Sequence, residues 1–388
     1  MQRESMEVDV VIVGAGPAGL ATACRLQQLA QAAERELSVV VLEKGSEVGA
    51  HILSGAVIQT RALDELFHDW KDRNAPLDSP VTADEVYFLR DAHKSTKMPN
   101  ALVPKPMHND GNYIVSLGKV VRWLGEQAEA LGVEVYPGFP ASEVLFHDDG
   151  SIKGVATGAM GIGADGKPKE AFEPGMELHA RCTVFAEGSR GHLGKQLNAR
   201  FGLDRDADPQ HYGIGLKELW EVEPAVHKPG LVIHGAGWPL AESGSSGGWF
   251  LYHMEDNQVS LGLIIDLNFK NPHLSVFDEL QRFKTHPEIR RHLEGGRRIG
   301  YGARAITKGG FNALPRMDMP GALLIGCDAG TLNFSKIKGT HTAMKSGMVA
   351  AETLFDLLAD VPEGVINPTS YADRLKESWL YDDLYRSR

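Results

Sequence analysis

An apolar run at Val8–Val13, broken only by Asp9, leads into a glycine turn, and apolar positions at helical spacing follow (Leu20, Ala23, Cys24, Leu29). A β-branched run bounded by glycine predicts a strand, and the 3.6-residue period predicts a helix. A second apolar run, Ser38–Gly45, completes a strand–helix–strand unit. Such a unit implies a parallel sheet with a right-handed crossover. Gly49–Thr60 is small, glycine-rich and irregular, and Trp70 to Asp110 reads as loop from its Pro, Asn and Asp. Leu117, Val120, Val121 and Leu124 predict a helix from about Ser116 to Leu131, stopped by Gly132. Val133–Gly138 reads as a strand and Ala141–Gly158 as a hairpin turning at Asp149 and Gly150.

Cys182–Ala186 is a further buried strand, followed by glycines and a helix. From about Tyr212 to Asp266 the pattern alternates, with many glycines, which predicts a second, mainly antiparallel domain. A helical period over Phe277–Leu293 breaks near His286 and Pro287. Gly321–Gly330 returns to a buried strand, and a helix runs from Gly339 to about Leu358. The tail, 361–388, is polar and carries no cap. There is no internal repeat.

The chain has 388 residues, 43% of them apolar and 23% charged, enough for two or three domains with sizeable cores. Its net charge of −11 argues against nucleic-acid binding. The three cysteines, Cys24, Cys182 and Cys327, show no CxxC spacing, which argues against a disulfide framework or a thiolate cluster. The N-terminus lacks the apolar core of a signal peptide, and no apolar run approaches the ~18 residues of a membrane span. A protein of this kind that meets a membrane lies on it.

Gly14, Gly16 and Gly19 fall between a strand and a helix, where a glycine turn lets the backbone approach a pyrophosphate and the helix start supplies N–H groups. Glu43 ends the next strand, placed for a ribose hydroxyl pair, and Lys44 follows it. The competing reading is a structural turn and an exposed strand-end glutamate. The cofactor is NAD or FAD. Thr183–Gly191 gives a second strand-to-glycine element, and Gly326–Gly347 a third. Three ordered elements favour FAD. Asp328 is expected at the ribityl chain. The helix starting at Gly339 and Thr340 is expected to face the flavin, where its amides, with Lys336, Lys338 and His341, would stabilise the charge that reduction places on the ring. Solvated loop charges are the alternative for those three side chains.

At these residues the chain resembles the electron transfer flavoprotein–ubiquinone oxidoreductase family, over nearly its whole length. The resemblance rests on GAGPAGL, GAHILSGA, GNYIVSLGKVVRWLGEQAEALGVEVYPG, FAEGSRGHL, YGIGLKELWE, GGWFLYH, LEGGRRIGYGARA and GCDAGTLNFSKIKGTHTAMKSG. It implies an α/β chain, a Rossmann-like FAD-binding fold of the glutathione-reductase type with an inserted, mainly antiparallel α+β quinone-binding domain. The implied division is 1–75, 112–205 and 300–360 for FAD, and 76–111 and 206–299 for ubiquinone and the membrane. Residues 361–388 would lead towards an iron–sulfur domain.

By the same resemblance, Ser54 and Gly55 pass the flavin ring and Gly247 and Gly248 contact ubiquinone through their backbone. A hairpin turn is the plain reading of that glycine pair. The implied partners are electron transfer flavoprotein, ubiquinone and a membrane surface, with no nucleic acid. Monotopic attachment would use about Val86–Met107, with Val86, Tyr87, Phe88, Leu89, Leu102 and Val103 apolar and Lys94, Lys97 and Lys105 for anionic headgroups. A solvent loop competes with that reading. Lack of a presequence suggests the inner face of a bacterial cytoplasmic membrane.

One departure is large. The family's [4Fe–4S] cysteines are absent here, so the chain is expected to be part of a longer protein, and the three cysteines read as small core residues. The expected function is FAD-dependent electron transfer from reduced electron transfer flavoprotein to ubiquinone, with no general acid or base named. The alternatives are a flavin monooxygenase or geranylgeranyl-reductase-like enzyme on the same fold, and an FAD-binding fragment without turnover.

Overall fold

The first strand, Ser5–Val13, lies between Glu177–Phe185 and Val39–Glu43, parallel to both, in the computed structural model, which describes residues 3–53, 55–361 and 363–388. Val10 faces Cys182, and Ile12 faces Val41. Glu134–Pro137 extends this sheet on one side and Ala322–Leu324 on the other, both parallel. Strands covered on both faces need unbroken apolar runs, and Val10, Val11, Ile12, Val40 and Val41 are fully buried. The hairpin Ala141–Phe146/Ile152–Thr157 joins antiparallel through Gly154 and His179.

The crossover helix Pro17–Ala32 packs beside Leu117–Ala130 and the long helix Thr340–Asp360. Close approach to the long helix depends on Gly347, where a Cβ would stand 2.3 Å from the carbonyl oxygen of Ala18.

The second sheet has seven strands in the order Arg297–Thr307, Tyr212–Glu221, Gln258–Asp266, Gly247–His253, Leu231–Gly237, Ala83–Leu89, Ser95–Lys97. Its outer face is covered by the helix Val276–Thr285, through Leu280 and Phe283, and by Ile289 and Leu293. Ser275 caps that helix, its hydroxyl accepting from the amide of Asp278. The inner face meets a small three-stranded sheet, Ala56–Ile58, Tyr113–Val115 and Ser79–Pro80. There Val57 and Ile114 pack on Val232, Phe250 and Tyr252. The small sheet is thus wedged between the two large ones.

Four expectations need correction. Trp70–Asp110 is not all loop, because Ala83–Leu89 pairs parallel with Leu231–Gly237, a partner remote in sequence. The domain boundary at 300 falls inside the Arg297–Thr307 strand, so 300–307 belong to the second sheet. A further hairpin, Met160–Ile162 with Pro168–Glu173, follows the predicted one. The polar tail, read without elements of its own, is docked on the core. Its helices Tyr371–Glu377 and Trp379–Tyr385 bury Tyr371, Leu375, Leu380 and Leu384 in the main core.

Candidate functional site

Gly14 has φ +109°, and a Cβ there would come 2.6 Å from the carbonyl oxygen of Ala186. A Cβ on Gly19 would come 2.1 Å from the carbonyl oxygen of Gly14. Both positions therefore require glycine for backbone approach. Gly16 caps the following helix without a side-chain hydrogen bond, so no side chain of its cap answers the first-turn N–H groups. Glu43 is brought to this turn: its carboxylate accepts from the amides of Ala15 at 3.1 Å and Gly45 at 2.7 Å. Lys44 is exposed beside it.

Beyond Ala322–Leu324 the chain turns through Gly326–Asp328, where the Gly326 amide donates to the Ser346 hydroxyl at 3.0 Å. Asp328 sits in this turn, not at the strand end. Its carboxylate accepts from the Glu187 amide at 3.3 Å, and the Glu187 carboxylate accepts from the amides of Leu193 and Gly194. Burial, then the Glu187 charge, pushes the Asp328 carboxyl well above the usual carboxylate range. The second and third glycine elements are joined by this carboxyl pair, which composition and spacing do not reveal.

Gly339 caps the long helix, again without a side-chain hydrogen bond. The turn before it holds Ile337 at φ +56°, an unfavourable conformation for a β-branched residue. Asn333 supports the turn, its side-chain oxygen accepting from the Lys336 amide. The basic residues here are not solvated loop charges. Lys336 Nζ lies 2.5 Å from Asp383, in the last helix, so its charge is matched. Lys338 is buried and its Nζ donates to the Lys336 carbonyl oxygen at 2.9 Å. Burial lowers the Lys338 ammonium to about 8, although Asp84 acts to raise it. His341 is buried, lies parallel to the Trp379 ring, and is lowered by burial against the opposing effect of Asp383. Asp383 was missed because it falls in the segment read as tail.

Gly55 has φ +96°, and a Cβ there would come 2.0 Å from the Ser260 hydroxyl oxygen. Its carbonyl accepts from Lys217 Nζ at 2.8 Å. Ser54 lies outside the described residues. Gly247 and Gly248 open the strand Gly247–His253, opposite Ile265 and Ile264, and the preceding turn is Leu240–Ser243. They are strand residues, not a hairpin turn. A Cβ on Gly247 would meet the Ile264 carbonyl oxygen at 2.0 Å; one on Gly248 meets only the Gly235 carbonyl oxygen, at 3.0 Å.

Tyr252 and His253, which follow the glycine pair in the same strand, are buried in the core. Tyr252 Oη and His234 Nε2 are 2.8 Å apart, and His253 Nε2 and His292 Nδ1 are 2.9 Å apart.

Of the six apolar residues named in Val86–Met107, Val86, Tyr87, Leu89 and Val103 are buried, while Phe88 and Leu102 are 47% and 71% exposed. The second sheet takes most of the apolar surface that the sequence offered to a membrane. No described helix is long and apolar enough to cross a membrane. Cys24 and Cys182 are buried, and burial raises the Cys24 thiol to about 12 and the Cys327 thiol to about 11. Among the described residues no group of three or more His, Cys, Asp or Glu is placed to hold a metal ion.

A mainly parallel sheet behind the glycine turn, with a mainly antiparallel sheet facing it across a small wedge, is the architecture of a flavoprotein oxidoreductase. Residues 12–76 match an NAD(P)-binding Rossmann-like domain, and residues 212–306 match the domain described as "ETF-QO, ubiquinone-binding". An electron transfer flavoprotein-ubiquinone oxidoreductase of Pseudomonas aeruginosa is 61% identical over 100% of this chain and 70% of its own length. The mitochondrial protein of Homo sapiens with that name is 53% identical over 100% of this chain and 63% of its own. The chain belongs to the electron transfer flavoprotein-ubiquinone oxidoreductase family, and spans about two thirds of these relatives. A geranylgeranyl bacteriochlorophyll reductase-like structure from Thermoplasma acidophilum shares the fold, with a TM-score of 0.73 at 17% identity, over 99% of this chain and 86% of that one.

Proposed function

We propose that this chain binds FAD and passes electrons from it to ubiquinone, receiving them from reduced electron transfer flavoprotein. The observation that carries the reading is the coincidence of the ubiquinone-binding match, residues 212–306, with the sheet that holds Gly247 and Gly248 and faces the Gly55 segment.

The residues fit the cofactor. Two helix starts, at Gly16 and Gly339, lack a side-chain cap, and their amides suit the pyrophosphate and the electron-rich edge of the ring respectively. Gly14 and Gly19 leave space where a Cβ would not fit. Glu43 holds the turn and presents a carboxylate for the ribose; Asp328 and Thr340 flank the remaining length. FAD, when bound, supplies the redox centre. The protein's own part is to orient it, exclude water and bring the quinone to Gly248, where the lack of a Cβ lets a ring approach the backbone.

The [4Fe–4S] cluster that the family resemblance implies finds no donor set among the described residues. The exposed Phe88 and Leu102 are the side chains we place at a membrane surface, in monotopic attachment to the inner face of a cytoplasmic membrane.

The test is binding. The purified chain should take up FAD, seen as a resolved flavin absorbance, and a short-chain ubiquinone should perturb that spectrum saturably. Absence of flavin uptake would refute the reading. Bleaching of the flavin by NADPH would favour the monooxygenase or reductase class instead.

A further inference from the structure

The inner face of the seven-stranded sheet carries a basic residue that the proposed function leaves unassigned. Lys217 lies in Tyr212–Glu221, and its row across the sheet runs through Gly262 and Phe250 to His234. The adjacent row on the same face holds Gly215, Ile264 and Gly248. Because Gly262 has no side chain, the Phe250 ring lies over it: a Cβ there would be 2.4 Å from that ring. Lys217 Nζ stands 5.3 Å from the Phe250 ring centroid and donates to the Gly55 carbonyl oxygen at 2.8 Å. One side chain therefore links the segment assigned to the flavin ring with the row beside the glycine pair assigned to the quinone.

Its surroundings leave the charge unmatched. Among the described residues Lys217 forms no ion pair; its partners are a carbonyl and an aromatic ring. Glu218, next in sequence, faces the opposite side and is engaged by Lys284 at 2.9 Å and Arg298 at 3.3 Å. Arg304, on the neighbouring strand, is a like charge, its guanidinium donating to the His51 carbonyl oxygen. His234, at the far end of the row, is lowered to about 3 by burial and is neutral; Tyr252 and Asp84 lie in the next row, and Lys338 approaches from the long helix's leading turn. Burial, then Arg304, lowers the Lys217 ammonium to about 8, so it is charged at neutral pH. Keeping an unmatched ammonium here is unfavourable unless negative charge arrives to meet it.

We propose that Lys217 is a charge-compensating residue of the redox site, its ammonium offsetting the negative charge that electrons bring to the flavin edge beside Gly55. The inference rests on the proposed FAD and ubiquinone sites. No bond is made or broken at Lys217, and its effect is electrostatic.

The experiment uses the flavin-loaded protein and three variants, Lys217→Met, Lys217→Gln and Lys217→Arg. FAD content is measured first, then the flavin midpoint potential against pH. Met and Gln should both disfavour the reduced flavin, by about tenfold in the reduced-to-oxidised ratio, or ~30 mV for a two-electron couple. Arg should stay close to the parent. The difference between parent and Met should be nearly full below about pH 7 and fade between about pH 8 and about pH 10, because the same tenfold preference raises the ammonium about one unit above its lowered value when the flavin is reduced.

A purely structural role, a donor for the Gly55 carbonyl, predicts that Gln keeps the parent potential, and that result overturns the proposal. Equal potentials in all four proteins overturn it too. If Met does not fold, the Gln and Arg pair decides alone. If the parent takes up no FAD, the proposed function itself fails, which is a distinct result.

Discussion

Lys336 Nζ and the carboxylate of Asp383 stand 2.5 Å apart, tying the turn before the long helix to the last helix of the chain. Burial pushes Asp383 up, but the His341 ring 3.5 Å away and the hydrogen bond from Lys336 hold it below its ordinary value. Asp383→Asn should therefore destabilise the protein by about 1–3 kcal/mol, since Lys336 loses its charge partner in a mostly buried place. A depressed carboxyl contributes stability above its unfolded pKa of ~3.9 and loses it as pH falls through the folded value. The gap in Tm between parent and variant should narrow at acid pH. A thermal melt series across pH checks both points.

The glycine turn gives a sharper outcome. Gly19→Ala puts a Cβ 2.1 Å from the Gly14 carbonyl oxygen, against backbone that cannot swing aside. The variant should purify without flavin, while Gly16→Ala, which meets nothing within 4 Å on the protein side, should keep the fold and bind FAD more weakly. Flavin absorbance per protein compares the two.

The two glycines proposed to meet the quinone divide similarly. Gly247 has φ +154° and no room for a Cβ, so Gly247→Ala should unfold the start of its strand. Gly248→Ala disturbs only the Gly235 carbonyl oxygen, so fold and flavin content should survive and the KM for a ubiquinone analogue should rise several-fold with less change in kcat. Steady-state quinone reduction, with protein folding checked by circular dichroism, separates the pair.

Acid should destabilise the protein through its histidine pair. Burial lowers His253 to about 3 and His292 to about 4, so the folded protein keeps both neutral while the unfolded chain protonates them. Stability is then intact above the ordinary histidine pKa and falls as pH drops from ~6.5 towards ~4, by up to about 1.4 kcal/mol per pH unit per histidine. Replacing both with Asn should flatten that slope, as read from urea midpoints at several pH values.

The docked tail makes a packing prediction. Leu380 is fully buried in the main core, and Leu380→Ala should cost about 2–5 kcal/mol, read as a lowered urea midpoint. A loose tail would show no change.

Much of the nucleotide-binding half was legible in the sequence because it is built from local signals. Val8–Val13, the glycine turn and the helix after it each declare themselves by periodicity, and Glu43 ends the next strand by position. What was not legible depends on remote partners. Ala83–Leu89 becomes a strand by pairing with Leu231–Gly237, and Asp84 and Glu85 disguise it as polar loop. Leu380 and Leu384 are four apart, a helical spacing, but two apolar residues in a polar tail are a weak signal until a core receives them. The charges at Lys336, Lys338 and His341 were visible; that Asp383 answers one of them was not, because ion pairing is a property of the folded surface. Gly247 and Gly248 were found by resemblance, and Lys217, which periodicity shows only as a polar position in a strand, became visible through its contact with Gly55.

The most direct measurement is a single-turnover reoxidation. The FAD-loaded chain is reduced chemically without oxygen and mixed rapidly with a short-chain ubiquinone, following flavin absorbance. The flavin should reoxidise with saturable dependence on quinone concentration, and Gly248→Val should slow it at least tenfold while leaving flavin content unchanged, a loss of about 1.4 kcal/mol. Flavin that stays reduced in the presence of ubiquinone, or that reoxidises equally fast in the Gly248→Val protein, would contradict electron transfer at this site.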